Sequence, residues 1–234
     1  MKRGVILAAI IIAFTATAGV TYGQSDNKET RDLKGFTKVN FGVSGNMYIN
    51  VGPEFKVVLE GDRDLLEDIE TEVSGGRLVV KKDNWNWGMN EKVTVYITMP
   101  EIEGLGVSGS GKAEIKDLVK TENLSLSVSG SGKIFTNSIA VNNLKCSISG
   151  SGDINVGGGN ADTGDISISG SGNYTGETAK IKSADLSISG SGNCLVNASE
   201  SLTAHVSGSG NVTYTGGSPK IDARVSGSGK VRSR

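Results

Sequence analysis

Two tryptophans, each preceded by an asparagine, form the most distinctive aromatic cluster of the chain, Asn84-Trp85-Asn86-Trp87. Exposed aromatic rings with neighbouring amides can stack on sugar rings or dock a protein partner. The cluster lies between two segments with strand-like alternation, which predicts a long hairpin loop with a ligand-contacting tip. The alternative is that both rings fold back and seal the apolar end of the core. The residue types leave both interpretations open.

Three asparagines, Asn173, Asn193 and Asn211, each directly follow a glycine of a repeated pentapeptide. In a stack of repeats, equivalent residues lie side by side, so these amides are predicted to form a polar ladder. A ligand could bind along such a ladder. Hydrogen bonds between the amides would also stabilise the stack without any ligand, and this structural role is the simpler interpretation.

The sequence gives little support for catalysis. Cleavage of a sugar chain needs clustered carboxylates, or a carboxylate with a base and a cation, on one face. The outward positions of the repeat are mostly serine and asparagine, and Asp153, flanked by Lys133 and Asn173 one repeat away, predicts an ion pair. The single histidine, His205, has no predicted partner. We expect no catalytic residues and no enzyme activity, with a carbohydrate-active enzyme as the alternative.

Metal and nucleic-acid chemistry are also not indicated. No histidine, cysteine and carboxylate set shows the spacing of metal ligands, so we expect no metal and no cofactor. The acidic run from Asp62 to Glu72 is expected to be the solvated face of a short helix, with weak calcium binding as the alternative. The charges are nearly balanced, with 24 Lys and Arg against 25 Asp and Glu. A chain with this balance lacks the net positive charge that would attract nucleic acid, so we expect no nucleic-acid partner.

The element that must position these residues is a pentapeptide, Val/Ile-Ser-Gly-Ser-Gly, which occurs seven times. The copies begin at Val107, Val128, Ile148, Ile168, Ile188, Val206 and Val225, with spacings of 21, 20, 20, 20, 18 and 19 residues. A period of about 20 residues is the signature of a stacked repeat. The two glycines fall on inward positions and predict a corner or a close backbone approach.

Apolar residues recur at fixed offsets from the pentapeptide. Two residues before each copy lie Leu105, Leu126, Cys146, Ile166, Leu186, Ala204 and Ala223, while the positions between are polar. This alternation is typical of half-buried strands, and stacked coils spaced by roughly 4.8 Å would bury it. The predicted fold is all-β: a single-stranded right-handed parallel β-helix with coils of about 20 residues and a less regular N-terminal β cap.

Cys146 and Cys194 occupy inward positions in different apolar rows, two coils apart. Two coil steps of about 4.8 Å exceed the ~7 Å between Cα atoms that a disulfide can bridge. We therefore predict two free, buried cysteines.

The chain divides into four predicted segments. These are a signal peptide at 1–23, a flexible segment at 24–32, an irregular β region at 33–100 that caps the stack, and the regular β-helix of seven coils at 101–234. The signal peptide consists of basic Lys2 and Arg3, an apolar core and small residues. It predicts export to the periplasm or the outer cell surface, with no membrane span after its removal.

Several segments also recur in the order known from one family. They are Phe36-Thr37-Lys38-Val39, Val43-Ser44-Gly45-Asn46-Met47-Tyr48-Ile49, Gly52-Pro53-Glu54-Phe55-Lys56-Val57, Gly61-Asp62, Arg77-Leu78-Val79-Val80 and Val95-Tyr96-Ile97-Thr98-Met99-Pro100, followed by the Ser-Gly-Ser-Gly repeats. This order resembles the family called putative auto-transporter adhesin, head GIN domain, over about 33–230. The resemblance implies a right-handed β-helix in the envelope of Gram-negative bacteria, with no established activity and no catalytic residues to carry over.

These observations together predict an exported β-helix with a binding, adhesin-like or scaffolding role. A glycan or another envelope component is the expected partner, and the contact surface is the Trp85/Trp87 loop or the polar ladder. A self-associating structural protein is a further alternative, because the C-terminal coil shows no cap. The cations at this end, Lys230, Arg232 and Arg234, are expected either to discourage stacking by repulsion or to dock on another molecule or another copy.

Overall fold

The computed structural model of the chain describes residues 27–82 and 93–234. The predicted fold class is confirmed: these residues form a parallel β-solenoid with coils of about 20 residues and a mixed N-terminal sheet region. One short helix interrupts the strands. The region before the stack contains β1 Asn27–Arg31, β2 Lys38–Phe41, β3 Gly45–Val51, β4 Lys56–Gly61, α1 Arg63–Glu67, β5 Ile69–Ser74, β6 Arg77–Lys82 and β7 Val93–Met99.

The regular stack contains β8 Gly104–Gly109, β9 Lys112–Gly130, β10 Lys133–Gly150, β11 Asp153–Val156, β12 Gly159–Gly170, β13 Asn173–Gly190, β14 Asn193–Gly208, β15 Asn211–Thr215, β16 Lys220–Gly227 and β17 Lys230–Ser233. Neighbouring coils pair in parallel with each pentapeptide directly above the previous one, so that Ile148, Ile168 and Ile188 are in register. These side chains are buried. The apolar rows expected from the sequence therefore form the core.

The glycines of the pentapeptide form a tight corner, in two different ways. The first glycine takes a positive φ, as at Gly170 with φ 120°, a conformation that other residues rarely adopt. The second is buried against the coil below: a Cβ added to Gly172 would lie 2.3 Å from the carbonyl oxygen of Gly152. The prediction that both glycines point inward is wrong for the first, which stays partly exposed because the turn breaks the strand alternation.

The coils of the N-terminal region are not stacked in chain order. Strand β2 lies between β6 and β8, and β3 lies between β7 and β9, all in parallel. The segment Val43-Ser44-Gly45 resembles the start of the pentapeptide and forms an early corner, with the Ser44 hydroxyl oxygen 3.1 Å from that of Ser110. Gly75 and Gly76, both with positive φ, instead make the tight turn between antiparallel β5 and β6.

Antiparallel strands cover the N-terminal end of the stack. β5 pairs with β6, β4 pairs with β7, and β1 pairs with β4. The prediction of a flexible segment at 24–32 is wrong for Asn27–Arg31, because backbone pairing orders this polar strand and Lys28 forms an ion pair with Glu60 at 3.3 Å. α1 buries Leu65 and Leu66 at the same end. No helix in the described ranges is long and apolar enough to cross a bilayer.

Both cysteines are free and buried, as predicted. Burial raises the pKa of both thiols well above the ordinary range, so they are unreactive core residues. The fully buried ring of Tyr174 lies in the same row as Cys194. Within the described residues its hydroxyl finds no hydrogen-bond partner.

Candidate binding groove

An open groove with a volume of about 1180 Å³ runs along one wall of the stack. Its floor is the stretch that follows each glycine corner, contributed by β10, β11, β13, β14, β15 and β17. Successive strands on this wall are in register, with Asp153, Asn173, Asn193, Asn211 and Lys230 forming one outward row. The predicted polar ladder therefore lies on the floor of this groove.

The amides of the ladder are hydrogen-bonded in a single direction. Nδ2 of Asn211 donates to Oδ1 of Asn193 at 3.0 Å, and Nδ2 of Asn193 donates to Oδ1 of Asn173 at 3.0 Å. Asn173 donates to Oδ1 of Asp153 at 2.9 Å. A carboxamide has two N–H donors and two acceptor lone pairs, and the ladder uses one of each at Asn193. The remaining donor and acceptor stay available to a ligand.

The ladder ends on an ion pair. Nζ of Lys133 lies 2.7 Å from Oδ2 of Asp153, so the ion pair predicted at this position is present. Partial burial acts to raise the pKa of Asp153, but hydrogen bonds from Lys133 and Asn173, together with the charge of Lys133, hold that pKa below its ordinary value. The carboxylate is therefore ionised near neutral pH and fixed in orientation.

This ion pair predicts an acid-sensitive contribution to stability. A folded-state pKa below the unfolded value of about 3.9 stabilises the fold above that pH, and the contribution is lost as the pH falls through the folded-state pKa. We expect the stability difference between wild type and Asp153→Asn to shrink between roughly pH 5 and pH 2. Denaturant unfolding at several pH values measures it.

The matched control is Asp165→Asn, because Asp165 faces Lys145 at 3.8 Å with both side chains largely exposed. Exposed pairs of this kind contribute little. If the stability difference from wild type depended on pH equally in both variants, the ion pair of Asp153 with Lys133 would contribute no more than an exposed pair.

A second outward row completes the groove and was not identified from the sequence. It lies two residues beyond the ladder and contains Phe135, Asn155, Thr175, Leu195, Thr213 and Arg232. The same alternation that predicted the ladder could have located it, since residues i and i+2 of a strand share a face. The side chains of this row differ in chemistry from one coil to the next, so no single residue type marks the row in the sequence.

The C-terminal end of the groove is basic. Lys230, Arg232 and Arg234 line it, and the Arg234 guanidinium pairs with Glu177. From the sequence, these three cations are expected either to discourage stacking by repulsion or to dock on another molecule or another copy. The parallel pairing of β15 with β17 instead places Lys230 and Arg232 directly after Asn211 and Thr213.

The other candidate residues do not converge on a site. His205 lies between Ser187 and Arg224 in an exposed row on a different wall. Among the described residues, no three His, Cys, Asp or Glu are close enough to hold a metal. In the acidic run, Glu67 pairs with Arg63 and Glu70 with Lys81, as expected of a solvated surface.

The tryptophan cluster lies outside the described residues, so the predicted contacts of Asn84, Trp85, Asn86 and Trp87 stay predictions. The strands on either side are described. β6 pairs with β2 and β5, whereas β7 pairs with β3 and β4. Among the described residues β6 and β7 are not paired with each other, and the predicted loop between them lies outside those residues.

Fold and groove together define a parallel β-helix with a polar outer wall. The chain belongs to the family described as putative auto-transporter adhesin, head GIN domain, which matches residues 35–219. That description is one of bacterial, envelope-associated proteins. No curated protein matches the chain.

Solved structures show the same fold. A putative adhesin from Bacteroides fragilis is 25% identical, with a TM-score of 0.85 over 91% of this chain and 98% of that one. A putative lipid binding protein from Parabacteroides distasonis is 23% identical, with a TM-score of 0.73 over 90% and 97%. A putative adhesin from Parabacteroides merdae is 22% identical, with a TM-score of 0.69 over 90% and 96%.

Proposed function

We propose that this protein is an exported, non-catalytic, adhesin-like binding protein of the bacterial envelope and that its groove binds a glycan. The observation that carries the proposal is the amide ladder on the groove floor, with Asn173, Asn193 and Asn211 held by mutual hydrogen bonds. The family supports an adhesin-like role at the envelope. The predicted signal peptide at 1–23 supports export to the periplasm or the outer cell surface.

The chemistry of the ladder suits a sugar chain. Sugar hydroxyls both donate and accept hydrogen bonds, and each ladder amide has a donor and an acceptor to offer. The coil repeat presents these groups at intervals of roughly 4.8 Å, so a polymer could make the same contact several times. Because the amides are already fixed by one another, little side-chain freedom is lost on binding.

The electrostatics of the groove favour binding over cleavage. A glycosidase needs a protonated carboxylic acid as well as a second carboxylate. The Lys133 partner and the lowered pKa of Asp153 keep this carboxylate ionised, which disfavours it as a general acid. Glu177, which is paired with the groove residue Arg234, does not itself line the groove.

The test is a glycan and cell-wall fragment array probed with the mature chain, residues 24–234. We expect binding by wild type and at least a tenfold loss in Asn193→Ala, which breaks the ladder at its centre. Asn143→Ala is the control, because Asn143 also donates to an asparagine one coil away, Asn123, at 2.9 Å, but does not line the groove. A Trp85→Ala/Trp87→Ala variant tests the predicted aromatic contact in the same experiment.

The outcomes separate the sites. Loss in Asn193→Ala but not in Asn143→Ala supports the groove, and loss only in the tryptophan variant moves the site to that segment. An equal loss of glycan binding in both asparagine variants means that the ladder supports binding only by stabilising the fold. If wild type binds neither neutral nor acidic glycans, the proposed function is wrong.

A second candidate function is self-association through the C-terminal coil. Ile221 and Val225 of β16 are 42% and 43% exposed, whereas their partners Leu202 and Val206 in the coil below are buried. Apolar side chains on an exposed strand edge favour pairing with another chain. A sedimentation coefficient that rises with concentration, and that stays constant in Val225→Lys, would support this role. A monomer at all concentrations would reject it.

A further inference from the structure

We infer that the ligand of the groove is an anionic polysaccharide, whose acidic groups contact Lys230 and Arg232 while its hydroxyls contact the amide ladder. This inference rests on the proposed function and specifies its ligand class. It is carried by the position of the two cations relative to the ladder and by the absence of an acidic partner for either cation among the described residues.

Both cations continue the binding rows of the groove. Lys230 is in register with Asn211, and Arg232 is in register with Thr213. Each side chain is therefore one coil step, about 4.8 Å, beyond a polar residue of the groove floor. Both side chains are exposed and line the groove. A ligand lying along the ladder would meet them at its end.

The positive charge is local to this end. Within the described ranges, no carboxylate forms an ion pair with Lys230 or Arg232. Asp153, at the far end of the ladder, is neutralised by Lys133 at 2.7 Å. The whole chain carries a formal charge of −1, so the groove departs in sign from the molecule as a whole. Such a patch selects for negative charge among otherwise similar ligands.

The length of the row favours a polymer. Asn173 and Lys230 are three coil steps apart, about 14 Å, in a row that offers a polar group at every step. A free phosphate or a single acidic sugar could contact the cations but could not reach the ladder centre at the same time. A polysaccharide with hydroxyls and periodic acidic groups could contact the amide ladder and the two cations at the same time.

The experiment measures affinity of the mature chain for three polymers: polygalacturonate, which carries carboxylates, dextran sulfate, which carries sulfate esters, and neutral dextran. The test variant is Lys230→Gln/Arg232→Gln. The control is Lys120→Gln/Lys180→Gln, which removes the same charge from exposed lysines that do not line the groove. Equal thermal midpoints for all forms ensure that folding is intact.

We expect wild type and control to bind at least one anionic polymer at least tenfold more tightly than dextran. We expect the test variant to lose most of this preference, and added salt to weaken the anionic binding alone. The two anionic polymers distinguish a carboxylate from a sulfate ligand.

Three results would overturn the inference. Equal affinity for dextran, or an unchanged preference in the test variant, excludes a role for these cations. An equal loss in the control means that the attraction is non-specific. All three leave the proposed function standing if binding remains sensitive to Asn193→Ala, whereas no binding of any of the three polymers or of the array glycans rejects the proposed function itself.

Discussion

Gly172→Ala is expected to destabilise the protein by about 3 kcal/mol or more, an unusually large effect for a single methyl group. The added Cβ would lie 2.3 Å from the carbonyl oxygen of Gly152 and 2.5 Å from Cγ2 of Ile148. The oxygen belongs to the backbone of the neighbouring coil, so it cannot move without disturbing the parallel ladder. Denaturant unfolding followed by circular dichroism measures the loss.

Gly158→Ala is the matched control, because the nearest atom to its added Cβ is 3.9 Å away and its φ is not positive. We expect its stability to lie within about 0.5 kcal/mol of wild type, or slightly above it, since alanine lowers the entropy of the unfolded chain. If Gly172→Ala were as stable as Gly158→Ala, the coils could not approach as closely at the corner as the structure shows.

Leu186→Ala is expected to cost about 3 kcal/mol, within the usual range of 2–5 kcal/mol for a buried leucine. Leu186 is 1% exposed and is stacked between Ile166 and Ala204 in the inward row. The coils above and below are fixed by backbone ladders, so the core cannot collapse into the cavity. Urea unfolding, with the midpoint and slope compared, measures the change.

The same substitution at an exposed site separates burial from other effects of losing a leucine. Leu118 is 51% exposed and lies at an irregularity between β9 and β10. We expect Leu118→Ala to change the free energy of unfolding by less than about 0.5 kcal/mol. A loss at Leu118 as large as at Leu186 would mean that the inward row is not the stabilising core.

The two stability predictions bear on the groove, because each coil contributes both a core residue and a groove residue. In a repeat stack, each coil contacts mainly its neighbours, so a local defect separates the coils on either side. Gly172 directly precedes Asn173 of the ladder. We therefore expect destabilising changes at this corner to weaken ligand binding indirectly.

Much of the regular stack could be predicted from the sequence. A period of about 20 residues places residues i and i+20 side by side, so the apolar row through Cys146, Ile166 and Leu186 follows from counting. The same counting predicted the ladder through Asn173, Asn193 and Asn211, the ion pair of Asp153 with Lys133, and the free cysteines. These features depend on neighbours set by the repeat alone.

The sequence by itself therefore determined the coil, its inward rows, its glycine corners and the amide ladder, because each is encoded in one repeat and copied. Only the tertiary structure decided what lacks a period. It placed β2 between β6 and β8, ordered the polar strand β1 on β4, and separated β6 from β7. The physical reason is that these pairings join segments far apart in the chain, where only the whole fold fixes which edges meet.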